Sequence, residues 1–527
     1  MDIRISSDNF IFKENNEFID IGITISEGNQ YKFGNIKFIG ELEGVDEALL
    51  KSYFQIEKGK YVDRKKIIDG VKKVGTLYRN NGFAYSEVTS NLEPSANPKE
   101  LDLKIQVDLG YRYLINRIVI SGNTKTQDDV IRRQLSILER EIYSLKEIDN
   151  SIDKIRRLGY FSNVNKRIEK VNETETLVDL FIEVVESKTG EISLGLSHSN
   201  STGASINAGI SQNNVFGTGN TLNAKFTNSK AIEELSFYFK DPYFNKDAHS
   251  ISYGYFDRYT DASGLDISSY ILNENGFSFG YGIPISAYSN IAASSLISFT
   301  DLKCGSLIAS SSYEADQCSE DNDLDFKISA EYSHNSLNDF YFPSDGSKNS
   351  LKFSLGLPIG DFKYWSLEGS HKKYITIHDN LVFKSSARAN FATGYGGDTL
   401  PFYKRYYEGG SSSVRGFDFN SIGPKYLNGN AKGGESSLVS TIAISSPLSN
   451  IANVDSRNLR LIGFIDVGTI TEKFNDVNFL DEARASTGIQ FTWLSPIGPI
   501  SIYGAKPLLS KSNDDTKTFS FELGAAF

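Results

Sequence analysis

From about residue 188 to the end, the chain repeats short segments in which apolar and polar residues alternate. Alternation puts one kind of residue on each face of a strand, so these segments read as two-faced β-strands. In TLNAKFT, Leu222, Ala224 and Phe226 share one face and Asn223 and Lys225 the other. In LSFYFK, Leu235, Phe237 and Phe239 point together. The final FSFELGAAF sets Phe519, Phe521, Leu523, Ala525 and Phe527 on a single face. Connections are of two kinds. FGTGN, PISAYSN and SPIGP are tight, whereas RYTDASGLDISSY, EKFNDVNFLDEA and LSKSNDDTKT are long and polar. Short turns at one end, long loops at the other and an even strand number, which we count as sixteen, fit a transmembrane antiparallel barrel of the bacterial outer-membrane kind. Residues 261–266, 311–316 and 475–478 are then expected outside the cell, and Thr218 on the periplasmic side. A soluble sandwich or propeller also alternates, but its polar face would be outside and its loops more even in length.

Composition agrees. The chain has 35 Phe and 28 Tyr, yet its mean hydropathy is only −0.31. No run of roughly 18 apolar residues exists, which argues against a transmembrane helix. A barrel strand needs just one apolar face, so low mean hydropathy does not exclude a barrel. A formal net charge of −11 argues against a nucleic-acid partner, which calls for a basic face.

The first third reads differently. YKFGNIKFIG (residues 31–40) is echoed by YRYLINRIVISG (111–122), and VKKVGTLYRNNGFAYSEV by IDKIRRLGYFSNV. Each copy closes on an alternating strand, ELDLKIQVDLG or TLVDLFIEVVES. The order within a copy is strand, helix, helix, strand, strand, and a period near 80 residues makes each copy a small α+β domain. DDVIRRQL places Val130, Ile131 and Leu135 at helical spacing, and Asp149 is expected to cap NSIDKIRRLG, ending at Gly159. Ahead of the repeats, two strands near residues 3–11 and 18–26 are too few for a domain. We expect them to be the end of an incomplete domain, with a signal peptide in the natural precursor. The expected division is 1–28, 29–109, 110–187 and 188–527.

Several motifs occur in order: NNVFGTGN (213–220), DPYF (241–244), DFYFPSDGS (339–347), PFYKRYYEGGSSSVRGFDFNSIGPK (401–425) and WLSPIGP (493–499). VRGF (414–417), in the longest loop, resembles the hallmark of the outer-membrane assembly and secretion barrel superfamily. Together the motifs resemble its BamA-type branch over essentially the whole chain. The resemblance implies that the repeats are POTRA domains and that the barrel inserts other barrel proteins into the outer membrane. Implied partners are unfolded outer-membrane clients, lipoproteins at the POTRA domains, periplasmic chaperones and outer-membrane lipid. A related barrel that exports polypeptide through its lumen is the alternative. The family's F-x-D-x-G motif falls on Phe464, Asp466 and Gly468, and the resemblance pairs Arg415, in its Gly416–Phe417 context, with Asp466 to hold the loop in the lumen. A guanidinium suits this task because its planar fork grips a carboxylate twice. The family's usual glutamate on the preceding strand is Ala443 here.

The ends of the barrel form its seam. Gly524 near the terminus and Gly195 in the facing strand GEISLGLSH weaken that seam, and the terminal Phe527 resembles the family's sorting signal. Cys304 and Cys318 are the only cysteines. An even count in an oxidising compartment suggests one disulfide, worth about 3 kcal/mol by loop entropy. Two thiols are too few for a zinc site, the five histidines are scattered, and we find no nucleophile–base motif. No enzyme activity, metal or cofactor is expected.

Overall fold

The computed structural model describes residues 4–13, 18–26, 29–172, 174–199, 203–265, 267, 269–305, 317–318, 323–339, 341–378, 381–427, 429–448, 458–475, 479–495 and 498–523. It separates into two compact units, Met1–Ser187 and Lys188–Phe527.

The first unit opens with a hairpin, β1 (Arg4–Lys13) and β2 (Phe18–Ser26), paired antiparallel. The first repeat follows as β3 (Lys32–Gly40), α1 (Glu47–Ser52), α2 (Arg64–Asn80), β4 (Glu87–Pro94) and β5 (Glu100–Asp108), in sheet order β3-β5-β4. The second repeats it with β6 (Leu114–Ser121), α3 (Asp128–Arg132), α4 (Leu145–Arg157), β7 (Phe161–Lys170) and β8 (Leu177–Glu186), in order β6-β8-β7. The last strand of each copy takes the centre of its sheet and buries one apolar row, Leu103, Ile105 and Val107 in β5, and Leu180, Ile182 and Val184 in β8. Helix α4 lays Ile148, Ile152 and Ile155 on that sheet, the four- and three-residue spacing of a helix face.

Two local expectations are corrected. Asp149 does not cap α4. The cap lies five residues earlier, at Ser144, whose hydroxyl accepts from the Glu147 N–H. Asp149 lies within the helix and pairs with Lys166. Starting at Asp149 would leave Ile148 outside the helix and off the core face. Helix α3 ends at Arg132, so Leu135 packs on the core from beyond it.

The second unit is one closed antiparallel barrel of sixteen strands, from Gly190–Ser199 to Phe519–Leu523. Its pleat is the one the alternation predicts. In strand Ser436–Pro447, Val439, Thr441 and Ala443 are buried inward, while Leu438, Ile442 and Ile444 face out and remain exposed. One end of the barrel carries the 41-residue loop 395–435, between strands Leu381–Gly394 and Ser436–Pro447. The other end is less uniformly short than expected, because residues 242–249 and 336–345 also connect strands there. These longer turns hold themselves together. Asp241 Oδ1 accepts from the Tyr243 N–H, and Asn338 Oδ1 from the Ser344 and Asp345 N–H groups.

Candidate functional site

The long loop folds back against strand Leu459–Thr471. There Asp466 is fully buried and Arg415 nearly so. Nε of Arg415 lies 2.7 Å from Asp466 Oδ2 and Nη2 lies 2.8 Å from Oδ1, a two-pronged grip, and the Arg415 backbone N–H donates to Oδ2 as well. All three F-x-D-x-G positions serve this contact. The Arg415 guanidinium carbon stands 3.4 Å from the Phe464 ring centroid, a cation–π arrangement. A Cβ at Gly468 would lie 2.4 Å from Val414 Cγ2, so glycine there lets the loop reach the wall. Gly416 adopts φ +94°, which only glycine takes without strain. Phe417 is fully buried with Val414, Ile422 and Val439. The backbones of Gly416 and Phe417 pair with Lys517 and Thr516, tying the loop to the segment before the last strand.

Two neutral residues complete the cluster, and sequence reasoning missed both. Thr441, directly across from Asp466, donates to Oδ1 at 2.8 Å, and Gln490 Oε1 accepts from Arg415 Nη1 at 2.7 Å. Alternation marks both as inward, but an uncharged side chain gives no signal of its partner. Ala443 does face inward, buried with Phe464, Tyr503 and Ala505. Its methyl packs against the ring beneath the guanidinium rather than adding charge.

The seam is built differently. Strand Gly190–Ser199 pairs with Gly203–Val215 over ten residues, and Gly195 lies opposite Asn207. On its other side, among the described residues, it makes a single pair with the last strand, His198 with Leu523. The last strand itself pairs over five residues with Gly498–Leu509. Ile192, Leu194 and Leu196 are 83, 79 and 71% exposed, against 51% for Ile442 in mid-wall. Gly524 and Phe527 lie outside the described residues. Cys304 and Cys318 are joined as a disulfide, with Cα atoms 5.9 Å apart, at the end that bears the long loop.

Comparison with known proteins accords with this geometry. Residues 214–527, well over half of the chain, match the Omp85 superfamily domain, and residues 31–110 and 113–187 match the POTRA repeat, described as a surface antigen variable number repeat. Outer membrane protein assembly factor BamA of Neisseria meningitidis serogroup B is 26% identical across the whole chain, which spans 70% of that relative. The BamA of Nitratidesulfovibrio vulgaris is 24% identical over 97% of the chain and 64% of the relative. Among solved structures, BamA from Haemophilus ducreyi lacking POTRA domains 1–3 superposes with a TM-score of 0.75, at 24% identity, covering 94% of this chain and all of that one. CdiB from Acinetobacter baumannii shares the fold at a TM-score of 0.53 and 17% identity, covering 94% of this chain and 90% of that one. A sixteen-stranded barrel with a buried VRGF loop, preceded by POTRA repeats, is thus matched along its whole length, and the chain belongs to the Omp85 superfamily.

Proposed function

We propose that this chain sits in the bacterial outer membrane, with its POTRA repeats in the periplasm, and assembles other β-barrel proteins there by templating client strands at the seam. The observation that carries the reading is that, among the described residues, strand Gly190–Ser199 pairs over ten residues on one side and over one on the other. A strand paired on one side presents free N–H and C=O groups on the other, a hazard that most proteins cover. An incoming strand can add to such an edge through its own backbone and so needs no particular side chains. This would let one barrel serve many clients without a catalytic group. The POTRA sheets would receive unfolded clients and lipoprotein partners, and chaperones would deliver the clients. Export of polypeptide through the lumen is the competing reading. The fastening of the long loop at Asp466 speaks against it, because that loop would have to leave the lumen first.

The test is a covalent lock. Cysteines at His198 and Leu523, the registered pair, would be oxidised in the assembled protein, with the native bridge occupying Cys304 and Cys318. Client insertion should stop while the barrel stays folded, and reduction should restore it. A lock between two mid-wall strands should be harmless. Undiminished insertion through a verified seam lock would reject the templating mechanism and favour lumen export.

A further inference from the structure

The long loop makes a second buried charge contact. Lys404 belongs to a short 3-10 turn, Phe402–Lys404, at the start of the loop. Its Nζ lies 2.7 Å from Asp325 Oδ2, on the inner wall of strand Asp323–Asn335. The same carboxylate oxygen accepts from the Tyr364 hydroxyl at 2.9 Å. The ring centroids of Tyr364, Tyr403 and Phe362 stand 5.2, 5.4 and 5.8 Å from the ammonium. Asp325 is 1% exposed, and its Oδ1 has no hydrogen-bond partner among the described residues. A buried carboxylate so sparsely satisfied depends on the cation paired with it. Asp325 and Asp466 stand on strands five steps apart around the barrel, and ten residues of loop separate Lys404 from Arg415.

The turn that delivers Lys404 is gripped from one side. Gln317 Oε1 accepts from the Phe402 N–H at 2.9 Å, and its Nε2 donates to Thr399 Oγ1 at 3.0 Å. Gln317 immediately precedes Cys318, and both bridge cysteines pack on the cluster that buries Phe402 against Tyr270. The disulfide thus holds Gln317 at the loop stem.

We propose that Lys404 is a second anchor of the long loop, seated on Asp325 within an aromatic cage, and that the Cys304–Cys318 bridge supports this anchor through Gln317. The loop is then a strap fastened to two separate stretches of wall. Releasing Arg415 frees its tip but leaves its stem in place. A partly buried disulfide, in the same arrangement, supports a contact inside the barrel.

Backbone hydrogen exchange on the full-length protein, read for the stem (residues 399–408) and the tip (413–423), tests the proposal apart from any client assay. Lys404→Met keeps the apolar stem of the side chain and removes its charge. It should speed stem exchange by about tenfold or more while moving the tip by less than about twofold, because local opening follows local contacts. Arg415→Ala should do the reverse. Gln317→Ala, which leaves the buried charges paired and so guards against misfolding, should speed stem exchange in the same direction, as should reduction of the bridge. Reduction should add nothing to Gln317→Ala. Wild-type stem protection in folded Lys404→Met, or in Gln317→Ala if Lys404→Met does not fold, would overturn the anchor. Full additivity of Gln317→Ala and reduction would overturn the link to the disulfide.

Discussion

Strands Leu459–Thr471 and Gly190–Ser199 belong to the same barrel wall, yet they are held in different ways. The first pairs over twelve residues on one side and ten on the other, and it carries Asp466, gripped by Arg415 and Thr441. The second pairs over ten residues on one side and, among the described residues, over one on the other, and its apolar side chains stand largely uncovered. Each net backbone hydrogen bond contributes roughly 0.5–1.5 kcal/mol, so a difference of a few pairs is enough to separate a wall that stays shut from one that thermal motion can part. The difference shows that a uniform pleat does not make a uniform barrel. Contacts are dense where the loop is fastened and, among the described residues, sparse at the seam.

The largest expected effect breaks the stiff side. Asp466→Ala leaves the Arg415 guanidinium buried without its carboxylate and should destabilise the barrel by about 3–5 kcal/mol. Arg415→Ala should cost a similar amount, and the double variant clearly less than the sum. Equilibrium unfolding of all three variants checks this, and strictly additive losses would mean that the two residues do not interact. Gly468→Ala comes next. Its Cβ would collide with Val414, so either the loop or the wall must shift, at about 1–3 kcal/mol. Thr441→Val removes one hydrogen bond to a charged group and should cost about 1–2 kcal/mol. Gly195→Ala sharpens the contrast from the seam side. The nearest atom to its added Cβ is 4.0 Å away, so stability should change by no more than about 0.5 kcal/mol, in either direction. A loss at Gly195 as large as that at Gly468 would show that the two regions are equally packed.

Much of this contrast was legible in the residues. Period-two alternation is a local property, so the strands and their two faces followed directly. Arg415 and Asp466 were paired through a motif, because two charges 51 residues apart carry no mutual signal in a chain. Thr441, Gln490 and the Lys404–Asp325 contact were hidden for the same reason. Which loop residue meets which wall residue is set by how a 41-residue connection folds, and neither periodicity nor charge encodes that. The α4 boundary was misread because Ser144 and Asp149 are both good caps by type. Only the demand that Ile148 reach the core decides between them.

Client templating at the seam requires strand Gly190–Ser199 to be held less firmly than the wall around Asp466. Hydrogen exchange of backbone amides in the intact protein, under native conditions, measures this directly. Amides of residues 191–198 should exchange at least about a hundredfold faster than those of residues 461–470, as expected if they open through a separate, low-energy local event. Equal protection of the two strands, with both opening only when the whole barrel unfolds, would contradict the account.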